Sequence, residues 1–180
     1  MPVTPRDPNS ESQLDRLNRL AIDIRGSILD QAIWIEALID DIVAWHFCPQ
    51  EAKRNLLFSL VLKGTELTFS DKIGILECLL RLEYSELKEQ YPGLKDHLDK
   101  LRRLRNRLAH AMLDTSDQFL QRNHTDRIQL VYFEDGREKQ WVLTISERDQ
   151  RLREFTQVVW TLLAIQQEVR RRVSEPGASA

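Results

Sequence analysis

The sequence predicts a mainly α-helical protein: a helical bundle with one β-hairpin inserted before the C-terminal helix. Three observations carry this reading. Apolar residues recur at intervals of three and four over most of the 180 residues, the period of a helix that buries one face. That period changes to two only at Ile128, Leu130 and Tyr132 and again at Trp141, Leu143 and Ile145, with Asp135-Gly136 between them as a two-residue turn. All six prolines lie outside the periodic runs, where a residue lacking an amide proton costs least.

Residues 1–9 hold three prolines and read as a disordered lead-in. Ser10 or Ser12 caps a first helix from about 12 to 46, with room for a bend at Gly26. Its apolar side runs from Leu14 through Ile24 and Ile28 to Ile42 and Trp45, too extensive a face to live outside a bundle. Pro49 separates a second helix, Gln50 to Lys63, which Gly64 ends, with Leu56, Leu57, Leu60 and Val61 as its core side. Ser70 caps a third, which turns Ile73, Ile75, Leu76, Leu79 and Leu80 inward. A short helix over Tyr84 to Gln90 and a turn at Tyr91-Pro92-Gly93 lead to a helix over about 94–112. Residues 113–126 are polar and read as loop, and the hairpin occupies about 127–145. Such a hairpin is marginal alone, so its apolar face must pack on the bundle or on a partner. Ser146 with Glu147 and Asp149 opens the last helix, with Leu152, Phe155, Val159, Leu162, Leu163 and Val169 as its core side, and 174–180 reads as a disordered tail. Residues 10–173 form a single domain on this reading.

Composition narrows the function. A formal charge of −2 gives no global electrostatic case for nucleic acid, so any such case must be local. Cys48 and Cys78 lack metal spacing and read as reduced, buried thiols. His46, His97, His110 and His124 form no ligand pair at helical spacing, so neither a metal site nor a cofactor is expected. No run is long and apolar enough for a membrane span, and the first residues have no signal-peptide segment, so a cytoplasmic location is expected. The four tryptophans are spread along amphipathic elements and read as core or dimer contacts.

The local case lies in the helix before the hairpin. At about 100° per residue, Leu94, Leu98, Leu101, Leu104, Leu108 and Met112 fall in one core-facing arc, and Arg105 falls inside it. A guanidinium there needs a partner, and Glu36, Asp40 and Asp41 of the first helix are the candidates. Asn106 and His110 share another face, and Arg102 and Arg103 flank it. Arg105 and His110 diverge by about 140°, so a second copy across a two-fold axis is needed to complete a site. The plainer reading is a solvated cationic face near a helix C-terminus, with Arg105 in a structural ion pair.

Arg105-Asn106-Arg107-Leu108-Ala109-His110 resembles the Arg-x-x-x-x-His signature of the HEPN superfamily, and the order of helices over about 12–173 is similar to that family's layout. Phe69-Ser70-Asp71-Lys72-Ile73 resembles the opening of the helix that precedes the motif in several branches. The resemblance implies a dimeric, metal-independent endoribonuclease, of the kind found among toxins and phage-defence effectors, with an antitoxin or defence-system protein as a further partner. It assigns proton transfer to His110, the phosphate to Arg105, an orienting role to Asn106, and RNA affinity to Arg102, Arg103 and Arg107. Where toxins of the family carry a modifiable tyrosine two positions after the histidine, this chain has Met112. The alternative is a non-catalytic HEPN-like module that binds RNA, a nucleotide or a protein.

Overall fold

The computed structural model describes residues 12–64, 67–122 and 124–175. The expectations for 1–9 and for the end of the tail lie outside these residues. Helix α1 (Gln13–Phe47) starts at Ser12, whose hydroxyl accepts from the Asp15 amide at 3.2 Å. Ile24, Ile28, Ile35, Ile39 and Ile42 are completely buried along it. After Pro49 come α2 (Glu51–Leu57) and a π turn (Phe58–Leu62), then α3 (Phe69–Glu83), α4 (Ser85–Gln90) and α5 (Leu94–His110). Strand β1 (Met112–Leu113), the one-turn α6 (Asp117–Leu120), β2 (Arg127–Glu134), β3 (Arg137–Thr144) and α7 (Ile145–Ser174) complete the order.

Helices α1 and α7 run side by side in the same direction. Arg148 pairs with Asp23 towards one end, while Gln166 and Arg170 each donate to Asp41 at 2.7 Å towards the other. Helix α5 runs against both, and the Arg25 guanidinium of α1 donates to the Leu108 carbonyl at 2.6 Å in its last turn. Helix α3 packs on α1 and α5. The sheet has the order β1-β2-β3, all antiparallel. Ile128, Leu130 and Leu143 turn one face of the hairpin into the core, so the bundle supplies the packing that a hairpin needs. No helix among the described residues is long and apolar enough to cross a membrane.

The mainly helical fold with a hairpin before the last helix matches the sequence, and several details differ. The second helix does not continue to Lys63 as an α-helix. The π turn inserts residues into its phase, so Leu57 is half-buried and Leu62, five residues on, is 2% exposed, whereas Leu56, Leu60 and Val61 face outward at 58%, 69% and 39%. Thr68, not Ser70, caps α3 through a reciprocal box with Asp71. Thr144 likewise replaces Ser146 as the cap of α7, with Glu147 completing the box. The stretch read as loop contains β1 and α6, the latter capped by Ser116. Ser174 closes α7 instead of opening a tail. The thiols are free but not buried: Cys48 is half-buried and Cys78 exposed.

The hairpin turn places Asp135 at φ 54° and Gly136 at φ 71°, positive at both central positions as a twist-matched two-residue turn requires. Gly136→Ala is therefore expected to cost ~1–2 kcal/mol, read as a lower urea midpoint at an unchanged slope.

Candidate nucleic-acid interface

Four leucines fix the orientation of α5. Leu94, Leu98, Leu101 and Leu108 are buried, and Leu104 is half-buried. The helix stops at His110 without glycine or proline. Ala111 still donates to the Arg107 carbonyl at 3.0 Å but has extended backbone (φ −77°, ψ 141°), because the next two residues pair with Val131 and Leu130 of β2. Strand pairing ends this helix. Met112 consequently leaves the leucine stripe and is 58% exposed on the sheet.

With the leucines inward, Arg103 points outward, and at about 100° per residue Asn106, Arg107 and His110 lie within roughly 60° of it. His110 is exposed at the helix end, and Arg107 and Arg103 are exposed about one and two turns before it. Arg105 lies on the other side, half-buried beside the leucines. It has no carboxylate partner among the described residues. Glu36 and Asp40 both accept from Lys72, at 2.8 and 3.0 Å, and Asp41 is taken by Gln166 and Arg170. What Arg105 holds is its neighbour: its Nη1 donates to Asn106 Oδ1 at 3.0 Å. The structure thus links Arg105 to Asn106 and groups Asn106 with His110, but does not bring Arg105 to His110. Arg102 turns to the flank, 3.5 Å from Asp99, whose carboxyl Lys95 holds below the ordinary range.

Beside this outward face a groove of about 470 Å³ opens between α5, β3 and α7. Lys100, Arg103 and Arg107 border it from α5, and Arg151 from α7. Leu104, Phe155 and Val158 form an apolar floor, with Trp141 on the hairpin side and His97 at one end. The Arg107 guanidinium lies 5.0 Å from the Tyr132 ring centre and 5.7 Å from that of Trp141, which orients it towards the groove. Glu134 approaches Arg107 to 3.8 Å but is bonded to Lys139, which holds its carboxyl low. Sequence reasoning missed Arg151 and Trp141, because only the docking of the hairpin brings three elements together. A larger groove of about 750 Å³, by Phe47, Cys78 and Leu82, is bordered by Asp71 and Glu83 and, among the described residues, by no lysine or arginine, and so does not suit an anion.

No family pattern, curated protein or solved structure matches this chain.

The chemistry open to the site therefore follows from its own groups. His110 offers an exposed imidazole that can accept or donate a proton, and the guanidiniums beside it can bind phosphate by paired hydrogen bonds. Among the described residues no three histidine, cysteine or acidic side chains converge as a metal cage. His46 and His124 are occupied within the fold: His46 Nδ1 shares a 3.0 Å hydrogen bond with the Tyr84 hydroxyl, and His124 packs on Phe119 at 5.1 Å.

Burial lowers the pKa of His46, so the folded protein keeps this ring neutral where the unfolded chain, with a pKa of about 6.5, protonates it. The unfolded state then binds more protons, and stability falls as pH drops below about 6.5. His46→Gln is expected to flatten that slope, measured as urea midpoints between pH 5 and 7.5.

Proposed function

We propose that the protein is a metal-independent, HEPN-type endoribonuclease that holds RNA on the outward face of α5, and that it acts as a toxin or defence effector. The observation that carries this reading is the exposed His110 at the end of α5, on the same face as Arg103 and Arg107 and beside a cationic groove. His110 takes the proton from a ribose 2′-OH, and the oxygen attacks the adjacent phosphorus. The bond to the 5′-oxygen breaks and that oxygen is protonated from solvent, leaving a 2′,3′-cyclic phosphate and a 5′-OH. Asn106, held by Arg105, turns its amide N–H groups to the phosphate. The Arg105 guanidinium itself acts across a homodimer whose two-fold axis lies near α5, since one copy directs Arg105 and His110 to opposite sides. A dimer is expected in light scattering, and a monomer at micromolar concentration removes that part of the reading.

The deciding experiment incubates structured and unstructured RNA with the protein in EDTA and maps the new ends. Cyclic phosphates and 5′-hydroxyls are expected, and intact RNA at stoichiometric protein overturns the reading. Binding without cleavage supports the non-catalytic module instead, which the divergence of Arg105 from His110 favours. Affinity is testable separately. Arg103→Gln and Arg107→Gln are each expected to lower the slope of log affinity against log salt by ~0.7, with Arg102→Gln doing less because Asp99 already neutralises it.

A further inference from the structure

The groove between α5, β3 and α7 is apolar at the bottom and cationic at the edge. Phe155 and Val158 are each 5% exposed on its floor, and the half-buried Trp141 forms one wall. Lys100, Arg103, Arg107 and Arg151 stand around it against one carboxylate among the described residues, Glu154, which is 3.0 Å from Arg151. Few carboxylates engage these cations: Lys100 and Arg103 form no ion pair among the described residues, and Arg107, which lies by the rings of Tyr132 and Trp141, meets a carboxylate only in the 3.8 Å approach of Glu134. A merely solvated cationic face has no need of an apolar floor, and an apolar peptide has no need of four cations. A flat ring carried on an anionic chain matches both. The cavity, about 470 Å³, lies in the range of sites that enclose small ligands.

We infer that this groove is a subsite for single-stranded RNA, in which one base lies over the apolar floor against Trp141 while the neighbouring phosphates lie on the Lys100–Arg103–Arg107 row and on Arg151. This rests on the RNA reading of α5 and deepens it by giving the strand a path. Lys100, Arg103, Arg107 and His110 succeed one another at steps of three and four, so phosphates on that row lead to His110 within about 10 Å of Arg103. The strand must be single, because a base paired in an A-form helix presents no free face to a wall of this kind.

The test uses a short fluorescent 2′-O-methyl oligonucleotide, which lacks the attacking hydroxyl, so that binding is read without cleavage. Trp141→Leu is expected to weaken binding ~5- to 100-fold with an unchanged salt slope, since stacking releases no counterions. Trp141→Phe, which keeps a ring, should recover most of that loss and guards against a folding defect. Lys100→Gln and Arg151→Gln should each weaken binding and lower the slope by ~0.7. Unchanged binding by Trp141→Leu overturns the inference. So does equal competition by an abasic strand, by a duplex of the same sequence, or by uridine 5′-monophosphate. Binding that follows the inference beside RNA left intact in EDTA counts against the ribonuclease and not the groove. Cleavage undiminished in Trp141→Leu, Lys100→Gln and Arg151→Gln, with their binding unaltered, counts against the groove and not the ribonuclease.

Discussion

His110→Ala is expected to lower RNA cleavage ~10²–10⁴-fold while leaving the fold and the affinity for RNA nearly as they were. The expectation rests on where the ring sits. His110 is the last residue of α5 and exposed, so removing it vacates no core volume and breaks none of the hydrogen bonds that hold the helix. Arg103 and Arg107 remain to hold the strand. The companion variant is Arg105→Lys, which retains a positive charge but loses the planar fork that holds Asn106 Oδ1. Its cleavage should fall more than its affinity, since Arg105 reaches the phosphate only across the dimer whereas Arg103 and Arg107 stand on the outward face of the same helix as His110. Both are checked by single-turnover cleavage in EDTA beside binding of an uncleavable strand. Wild-type rates in His110→Ala would remove the imidazole from the mechanism.

The outward face of α5 could be read from the sequence because two local rules determine it: the leucine spacing sets which side is buried, and the remaining residues follow. The end of the helix could not. Nothing at Ala111-Met112 breaks a helix, and the stop comes from pairing with residues about twenty positions downstream. Arg151 and Trp141 belong to the groove for the same non-local reason. The partner assigned to Arg105 failed differently. Glu36 and Asp40 do hold a buried cation, but it is Lys72, and the reasoning that singled out Arg105 applies to Lys72 as well. Phe69, Lys72, Ile73, Leu76 and Leu80 follow one helical stripe, and all are buried. A cap at Ser70 leaves Phe69 before the helix and Lys72 in its first turn, whereas the Thr68 cap places both within the helix on its buried stripe. The outward turn of Leu56, Leu60 and Val61 depended on a π turn, for which apolar periodicity carries no sign.

Lys72→Ala is expected to destabilise the fold by ~3–5 kcal/mol near pH 7, because it leaves carboxylates buried without their cation. Asp40 is 1% exposed and Lys72 4%, so water cannot take over the lost partner without opening the contact between α1 and α3. Burial already holds Asp40 above the ordinary carboxylate range in spite of the ammonium 3.0 Å away. Burial would lower Lys72, but its hydrogen bonds to Glu36 and Asp40 outweigh this and raise it. Removing the lysine drives Asp40 further up, so the folded variant binds a proton that the unfolded chain releases. With more protons bound in the native state, stability falls as pH rises. The defect should therefore be larger at pH 7 than at pH 5, the reverse of the trend expected from His46. Pairing Lys72→Met with Asp40→Leu removes both buried charges and should recover most of the loss, since an apolar pair of similar volume does not incur the desolvation cost. Urea denaturation of the two single variants and the double at both pH values measures the coupling. Additive losses, with no recovery in the double variant, would show that Lys72 stabilises α3 by packing its aliphatic stem and not by neutralising Asp40.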